Sequence, residues 1–309
     1  MSARTENIMN NLVIQIKKMY RECNEKSFET RARYRDATIR FCEFLAENYG
    51  TQKFANISDK HITAYVDLMK EKGIAASTIL SDLSGIRFFH RLSGEKFTLP
   101  PNKDLGLDKR QVGKIDRAWS DKEITGALRL AGKMGRSDIV LAIKISSLFG
   151  TRIEETCKMR VWQIIKAVKY GELETKGKGG HERYVDVGNL EQTALIGEII
   201  SEIKAKKLQP NDYIVSQNKK RGVERQIKSI QNWLSNHNHK FIDIDRTEKV
   251  PKGQKPKSER LTFHGLRYAF AQQYEKELKK NKDPHAMKKV SEELGHYRIA
   301  VTKIYSDKK

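Results

Sequence analysis

Long apolar runs are missing from this sequence. No stretch approaches the ~20 consecutive apolar residues that a membrane-spanning helix needs, and the opening MSARTENIMN lacks the apolar region of a signal peptide. Membrane insertion and secretion are therefore not expected. We predict a soluble, cytoplasmic protein without a membrane partner.

Cysteine is scarce as well. Cys23, Cys42 and Cys157 lie far apart, which fits neither a disulfide framework nor a clustered zinc site. The run NHNH at 236–239 offers two histidines without a cysteine or acidic neighbour and is typical of a solvated helix end. GKGG occurs, but the P-loop pattern GxxxxGK followed by Ser or Thr does not. We expect no metal, no nucleotide and no other cofactor.

Acidic residues are too few to balance the basic ones. The sequence holds 60 Lys and Arg against 39 Asp and Glu, a formal net charge of +21. This excess is larger than solubility requires and indicates an extended anionic partner, with nucleic acid the leading candidate. An acidic membrane surface and a basic protein without a specific partner are the alternatives.

Apolar residues recur at spacings of three and four from residue 6 to about 94, as in amphipathic helices. Ser58 and Ser77 are typical helix starts, while Gly50, Gly73 and Gly94 are typical helix ends. The pattern predicts four short helices packed as a compact bundle.

A linker is predicted at 99–117, where paired prolines and scattered charge replace any periodicity. It separates a helical domain, 1–98, from a mixed domain, 118–309. The second domain should contain an apolar helix that ends at Gly150 and two strands around a Gly-rich turn within 168–188. We predict a mainly α fold with a small antiparallel β-sheet.

Five short stretches of the second domain occur in a fixed order: FGTRIEE (149–155), KGKGGHER (176–183), HGLRYAF (264–270), ELGHYR (293–298) and TKIYSD (302–307). In this order, and with Tyr305 nine residues after His296, the sequence resembles the tyrosine recombinase or phage integrase family. The N-terminal helices, including STILSDLSGIRFFH, are similar to the core-binding domain of that family. The resemblance therefore covers nearly the whole chain.

The family resemblance implies a fold, an activity and a partner. It implies a two-domain, C-shaped clamp around double-stranded DNA, assembled as a homotetramer on a recombination site. The implied reaction is site-specific recombination through a 3′-phosphotyrosyl intermediate, in the integration, excision or resolution of a mobile element. The segment between Arg267 and His296 is longer than in typical relatives, so the match requires it to extend a helix. Only SDKK follows Tyr305, so the C-terminal segment that many relatives donate to a neighbouring subunit is expected to be missing or replaced.

The residue types suit this chemistry. Phosphodiester exchange without a metal must neutralise two non-bridging oxygens, and arginine does so with a permanently charged fork. Arg152 and Arg267 are the candidates. A tyrosine hydroxyl can attack phosphorus and leave a covalent phosphotyrosine. Tyr305 is the predicted nucleophile; Tyr268 and Tyr297 are the competing hydroxyls, expected on the opposite sides of their helices.

Proton transfer requires further groups. Lys178 is predicted to protonate the leaving 5′ oxygen, with Lys176 as the alternative acid. His264 is expected to take the proton of the nucleophile, and His296 to hydrogen-bond the phosphate. Glu155 should orient an arginine or a histidine rather than react.

DNA contacts outside the reacting centre are predicted from basic residues on the hairpin and in the Lys- and Pro-rich loop at 245–260. These contacts are Lys176, Arg183, Lys252, Lys255 and Lys257. A protein of this kind would be cytoplasmic and associated with the nucleoid.

Two other functions share these residues. A type IB topoisomerase-like or telomere-resolving enzyme would use the same strand-cleavage chemistry, and a catalytically silent DNA-binding protein could keep the same fold. The target sequence, the accessory proteins and the choice among phage, transposon and chromosome-resolution roles are not encoded in these motifs.

Overall fold

The computed structural model describes residues 2–108, 116–177, 180, 182–217, 222–243, 261–295, 302 and 305. The chain divides into two compact units, Met1–Gln111 and Val112–Lys309. Both are mainly helical, and the described part of the second also holds a two-stranded antiparallel sheet. The predicted fold class is confirmed, whereas the domain bounds 1–98 and 118–309 stay a prediction.

The described part of the first unit contains α1 (Ala3–Glu22), α2 (Phe28–Asn48), α3 (Asp59–Glu71) and α4 (Ala76–Leu92). The predicted bundle of four helices is therefore confirmed. Ser58 begins α3 in a capping box with His61. Gly50, Gly73 and Gly94 follow the ends of α2, α3 and α4 with φ of 60°, 67° and 73°, as their predicted role at helix ends requires.

The beginning of the predicted linker packs against the first unit. Leu105 is buried in the core of that unit. On α4, Arg87 donates hydrogen bonds to the carbonyl oxygen of Pro100 at 2.6 Å and to Oδ1 of Asn102 at 2.7 Å. Because the burial of Leu105 removes apolar surface from water, this stretch forms part of the first unit.

The described part of the second unit contains α5 (Asp121–Lys133), α6 (Ser137–Phe149), α7 (Ile153–Lys158), α8 (Val161–Tyr170), β1 (Glu172–Lys176), β2 (Glu182–Asp186), α9 (Leu190–Ala205), α10 (Gly222–His237), α11 (His264–Lys280) and α12 (Ala286–Glu293). Strands β1 and β2 pair with Glu172 opposite Asp186 and Lys176 opposite Glu182. Short 3-10 helices lie at Phe54–Asn56, Asn102–Leu105 and Asn238–Lys240.

Helix α6 is buried on nearly every side, as its apolar sequence predicts. Ile139, Ile143 and Ile145 are inaccessible to solvent, and α6 packs against α5, α7, α9 and α11. It ends at Gly150, whose φ of 58° turns the chain directly into α7. This turn therefore brings the start of α7 close to α11.

The long segment after Arg267 is helical, as the family resemblance requires. Helix α11 continues to Lys280, and α12 follows after a short turn. Val290 and Leu294, at the C-terminal end of α12, pack in one buried cluster with Phe270 of α11. The extra length thus places the end of α12 beside the first turns of α11. Among the described residues, no helix combines the length and the apolar character that crossing a membrane demands.

Close contact between α2 and α4 depends on Gly85. A Cβ atom at Gly85 would lie 2.9 Å from the Cα of Tyr34 and 3.0 Å from its carbonyl oxygen. Because backbone atoms yield less than side chains, Gly85→Ala should destabilise the first unit by about 1–3 kcal/mol. All three tryptophans, Trp119, Trp162 and Trp233, belong to the second unit. The loss should therefore appear in urea unfolding followed by far-UV circular dichroism and not by tryptophan fluorescence.

Gly197 provides the matched control. It lies within α9, and a Cβ there would meet no atom within 4 Å. Gly197→Ala should stabilise the second unit by about 0.5–1 kcal/mol, because alanine loses less backbone entropy in a helix than glycine. Unchanged unfolding of Gly85→Ala would contradict the close helix contact.

Candidate active site

Arg152 is fixed at the start of α7 by Glu155. The carboxylate of Glu155 accepts a hydrogen bond from the backbone N–H of Arg152 at 2.9 Å through Oε2, and one from Nη1 of Arg152 at 2.5 Å through Oε1. The Glu155 side chain is buried, whereas 30% of the Arg152 side chain is exposed. The turn after α6 therefore places the Arg152 guanidinium at the surface, and the buried Glu155 carboxylate sets its orientation.

Arg267 joins the same turn from α11. Its side chain is fully buried, and Nη1 donates to the carbonyl oxygen of Gly150 at 2.5 Å. Nη2 donates to the carbonyl oxygen of Leu294, just after α12. Of the two arginines predicted to clamp the phosphate, Arg152 is thus accessible in this structure, and Arg267 lies behind it in the protein interior.

Arg183 lies inside the protein, where a DNA contact cannot reach it. It is 6% exposed, and its Nη2 donates to Glu155 Oε2 at 3.1 Å and to the Gly150 carbonyl oxygen at 3.3 Å. Nη1 donates to the carbonyl oxygen of Glu293 on α12. The buried position corrects the prediction of a surface contact. Sequence reasoning could have found it, because Arg183 and Val185 point to the same side of β2 by the alternation of a strand.

The ion cluster of Arg152, Arg183, Arg267 and Glu155 carries three positive charges and one negative charge. Burial alone would raise the pKa of Glu155, but the Arg183 charge, the Arg152 amide and the other two guanidinium groups hold it below its ordinary value. Burial and the charges of Arg183 and Arg152 lower the pKa of Arg267 to about 9, so this side chain stays protonated at neutral pH. The cluster therefore has a net positive charge that an anionic group could neutralise.

His264 and Tyr305 meet at the other end of the first turn of α11. Nε2 of His264 lies 2.8 Å from the hydroxyl oxygen of Tyr305, and Tyr305 is buried. His264 keeps an exposed face, yet the atoms packed around its ring, followed by the charges of Arg267 and Arg152, lower its pKa to about 4. The imidazole is therefore neutral at pH 7 and able to accept a proton.

Tyr268 does not point away from the site, contrary to the sequence-based expectation. Its ring stacks on the ring of Tyr305 with centroids 4.1 Å apart and an interplanar angle of 20°. It also meets the ring of His264 edge-on at 5.4 Å. The signal was present in the sequence, because residues four apart on a helix lie on the same face.

The start of α11 is fixed by Trp119, which sequence reasoning did not identify. Its indole Nε1 donates to the carbonyl oxygen of Thr262 at 3.0 Å, and its backbone N–H donates to that of Gly265 at 3.4 Å. A Cβ at Gly265 would lie 2.4 Å from Cδ1 of Trp119. The glycine between His264 and Arg267 thus allows the indole to pack against the helix start that presents both side chains.

One of the remaining predicted site residues lies within the described ranges. Lys176 is exposed at the end of β1. Five others, and the competing hydroxyl of Tyr297, lie outside the described residues: Lys178, Lys252, Lys255, Lys257 and His296. Their roles stay predictions.

The described ranges hold no cluster of the side chains that bind metals. In those ranges no three His, Cys, Asp or Glu side chains are grouped as a metal site would require. Cys23, Cys42 and Cys157 are free thiols. Burial raises the pKa of both the Cys42 and the Cys157 thiol to about 12, so neither is a ready thiolate ligand or nucleophile.

Two family models match this chain. Residues 136–309 match the phage integrase family, and residues 17–93 match the N-terminal SAM-like domain of phage integrases. The first match alone covers more than half of the sequence. The chain therefore belongs to the phage integrase family, and it is a tyrosine recombinase, the class of enzyme that carries out site-specific recombination.

Curated relatives agree with this assignment. Tyrosine recombinase XerC of Herpetosiphon aurantiacus is 26% identical over 288 residues, which cover 90% of this chain and 84% of the relative. Tyrosine recombinase XerD of Halalkalibacterium halodurans is 26% identical over 260 residues, which cover 81% and 77%. The similarity extends over most of both proteins in each case.

Solved structures share the fold. A lambda integrase dimer bound to a COC′ core site matches with a TM-score of 0.62 and 17% identity over 95% of this chain and 94% of that one. XerH recombinase in a post-cleavage complex with palindromic difH substrate matches with a TM-score of 0.60 and 17% identity over 96% and 81%. At this level of identity the comparison establishes the fold.

Arg183 should stabilise the second unit strongly. Arg183→Gln leaves the buried Glu155 with less compensating charge and removes donors to three segments, so we expect a loss of about 3 kcal/mol. The measurement is urea unfolding followed by tryptophan fluorescence. Arg129→Gln, an exposed arginine on α5, is the control and should change little. Equal stability of the two variants would contradict the structural role of Arg183.

His264 should titrate well below an ordinary histidine. In the DNA-free protein, its imidazole resonance should remain that of the neutral ring from pH 8 to about 5 and change with a midpoint near 4. His264→Gln assigns the signal in the NMR spectrum. Arg152→Gln removes one of the charges that depress the pKa, so the midpoint should move upward. A midpoint near 6.5, the value of an unperturbed histidine, would count against the described environment.

Proposed function

We propose that this recombinase cleaves and rejoins double-stranded DNA through a 3′-phosphotyrosyl intermediate at Tyr305. The observation that carries the proposal is the 2.8 Å contact between the Tyr305 hydroxyl and a neutral His264, on the helix that also carries Arg267. A phenol beside a neutral proton acceptor and a positive cluster is suited to attack a phosphodiester.

The proposed cleavage step exchanges one phosphorus–oxygen bond for another and moves two protons. The Tyr305 oxygen forms a bond to phosphorus while its proton passes to Nε2 of His264. The bond from phosphorus to the 5′ oxygen breaks, and Lys178 supplies the proton for that oxygen, with Lys176 as the alternative acid. The phosphotyrosyl bond conserves the energy of the phosphodiester, so a 5′ hydroxyl can reverse the step without ATP.

The positive cluster stabilises the charge that grows on the non-bridging oxygens. Arg152 is the accessible donor, Arg267 supports it with positive charge from behind, and His296 adds a hydrogen bond. Glu155 sets the direction of Arg152. Since these side chains supply both the charge and the proton transfer, the proposed reaction uses no metal and no nucleotide.

Double-stranded DNA is the proposed partner. The net charge of +21 supports this, as do similar folds in DNA-bound complexes of lambda integrase and XerH. In the proposal, the first unit is the core-binding domain and the second is the catalytic domain. Lys176, Lys252, Lys255 and Lys257 contact the phosphate backbone. Binding should therefore weaken steeply with salt.

The working assembly is proposed to be a homotetramer on DNA, in line with a structurally similar lambda integrase described as a tetramer bound to a Holliday junction. Its products would be recombined joints between two sites, as in integration, excision or resolution of a mobile element. Such an enzyme would act in the cytoplasm on nucleoid DNA.

Covalent attachment is the decisive test. Nicked suicide duplexes tiled from the DNA flanking the coding sequence are incubated with the protein in EDTA and run on a denaturing gel. Wild type and Tyr184→Phe, which alters an exposed tyrosine of the hairpin, should give an SDS-resistant adduct. Tyr305→Phe should bind in a gel-shift assay and give none.

Each other result has a distinct meaning. An adduct with Tyr305→Phe would show that another side chain is the nucleophile. Binding without any adduct would favour a silent DNA-binding protein, and an adduct only with added metal would contradict the mechanism. Relaxed circles or hairpin ends as the sole products would indicate a topoisomerase-like or telomere-resolving activity in place of recombination.

A further inference from the structure

Tyr268 is a buried aromatic residue to which the proposed reaction gives no role. It lies one helical turn after His264 on α11 and is 6% exposed. The ring of His264 is steeply inclined to both tyrosine rings, at 81° and 5.4 Å to Tyr268 and at 71° and 5.6 Å to Tyr305. The three rings thus form one compact group around the attacking hydroxyl.

Two of the contacts of the Tyr305 phenol restrain different parts of it. The hydrogen bond to His264 restrains the hydroxyl oxygen and does not by itself set the plane of the ring. The face-to-face stack with Tyr268, at 4.1 Å and 20°, fixes the ring plane. The attacking oxygen must lie in line with the leaving group. Restraint of the oxygen position together with the ring plane therefore favours the reactive geometry more than restraint of the oxygen alone.

The surroundings of the stack are apolar and continuous. Both tyrosines belong to a buried cluster that joins the start of the second unit, α11 and the end of α12: Ala118, Tyr268, Phe270, Ala271, Val290, Leu294 and Tyr305. The packing of this cluster therefore fixes the position of the Tyr268 ring. A ring that is itself held in place can position a neighbour.

We propose that Tyr268 is a positioning residue whose ring holds the Tyr305 phenol against His264 before DNA is cleaved. The inference deepens the proposed function and rests on it. The contact is made by the face of the ring, so the hydroxyl group of Tyr268 is not needed.

The chemistry of the Tyr268 hydroxyl agrees with Tyr268 as the positioning residue and Tyr305 as the nucleophile. Burial, followed by the nearby Tyr305, raises the pKa of the Tyr268 hydroxyl. It is therefore a neutral phenol at neutral pH and a poorer nucleophile than a tyrosine whose proton His264 can accept. The 2.8 Å contact of His264 is with the Tyr305 oxygen.

Cleavage and religation should respond differently to loss of the stack. Before cleavage, Tyr305 is not bonded to DNA, and the stack favours the side-chain position from which it attacks. After cleavage, the phosphotyrosyl bond already holds the ring, so loss of the stack raises the energy of the adduct and the transition state together. A positioning role therefore predicts slower cleavage with an unchanged rate of religation, whereas a general structural defect would slow both.

The experiment uses the full-length protein and the nicked duplex that wild type cleaves. Tyr268→Phe keeps the stack, and Tyr268→Leu keeps apolar volume without it. Tyr274→Leu is the matched control, because Tyr274 is also stacked on α11, with Phe270 as its partner. Adduct formation is timed under single turnover, and religation is timed after a 5′-hydroxyl strand is added to preformed adduct.

Tyr268→Leu should slow adduct formation roughly 2- to 12-fold, the range that corresponds to typical aromatic pair energies. Its DNA affinity and religation rate should match wild type, as should every rate of Tyr268→Phe and Tyr274→Leu. Unchanged cleavage in Tyr268→Leu, an equal loss of cleavage and religation, or an equal loss in Tyr268→Phe would each overturn the inference.

Failure of the proposed function would look different. It would show as no adduct with wild type, or as an adduct with Tyr305→Phe, and neither result depends on a variant at Tyr268. An adduct of Tyr305→Phe that disappears in the double variant with Tyr268→Phe would make Tyr268 a nucleophile and overturn both statements.

Discussion

The site depends on one buried carboxylate among three arginines. Guanidinium groups repel one another at short range in a medium of low dielectric constant, and Glu155 supplies the negative charge that lets Arg152 and Arg183 approach each other. Backbone carbonyl oxygens at Gly150, Glu293 and Leu294 accept hydrogen bonds from the Nη atoms of Arg183 and Arg267. Since these acceptors come from the end of α6 and from α12, the same charges that form the site also fix the relative positions of its elements.

One electrostatic cause has two chemical effects. The excess positive charge around Arg152 and Arg267 favours an anionic group at the site, and, second to burial, it opposes protonation of His264. The imidazole of His264 is thus unprotonated at neutral pH, and the same charges lower its affinity for a proton. The stack of Tyr268 on Tyr305 adds a geometric restraint to this effect of charge. Charge and aromatic packing therefore act on the same hydroxyl from different sides.

Sequence patterns predicted the parts that chemistry or periodicity restricts. The ordered motifs contain Arg152, His264 and Tyr305, and the structure places the Tyr305 hydroxyl against His264, whose pKa responds to the Arg152 charge. Helical spacing predicted α1 to α4. The inward direction of Arg183 was missed because an arginine on a hairpin was interpreted by its charge alone, although strand alternation places it with Val185. The packing of Leu105 on the first unit has no periodic signal, since it lies in a short 3-10 turn.

The contact between Arg183 and Glu155 also constrains how this sequence can change over generations. The two residues are 28 positions apart and lie in different elements, yet each compensates a charge that the other would leave in the interior. A neutral replacement of either residue alone leaves an uncompensated buried charge and destabilises the fold. We therefore expect substitutions at Arg183 and Glu155 to be tolerated mainly when both residues change together.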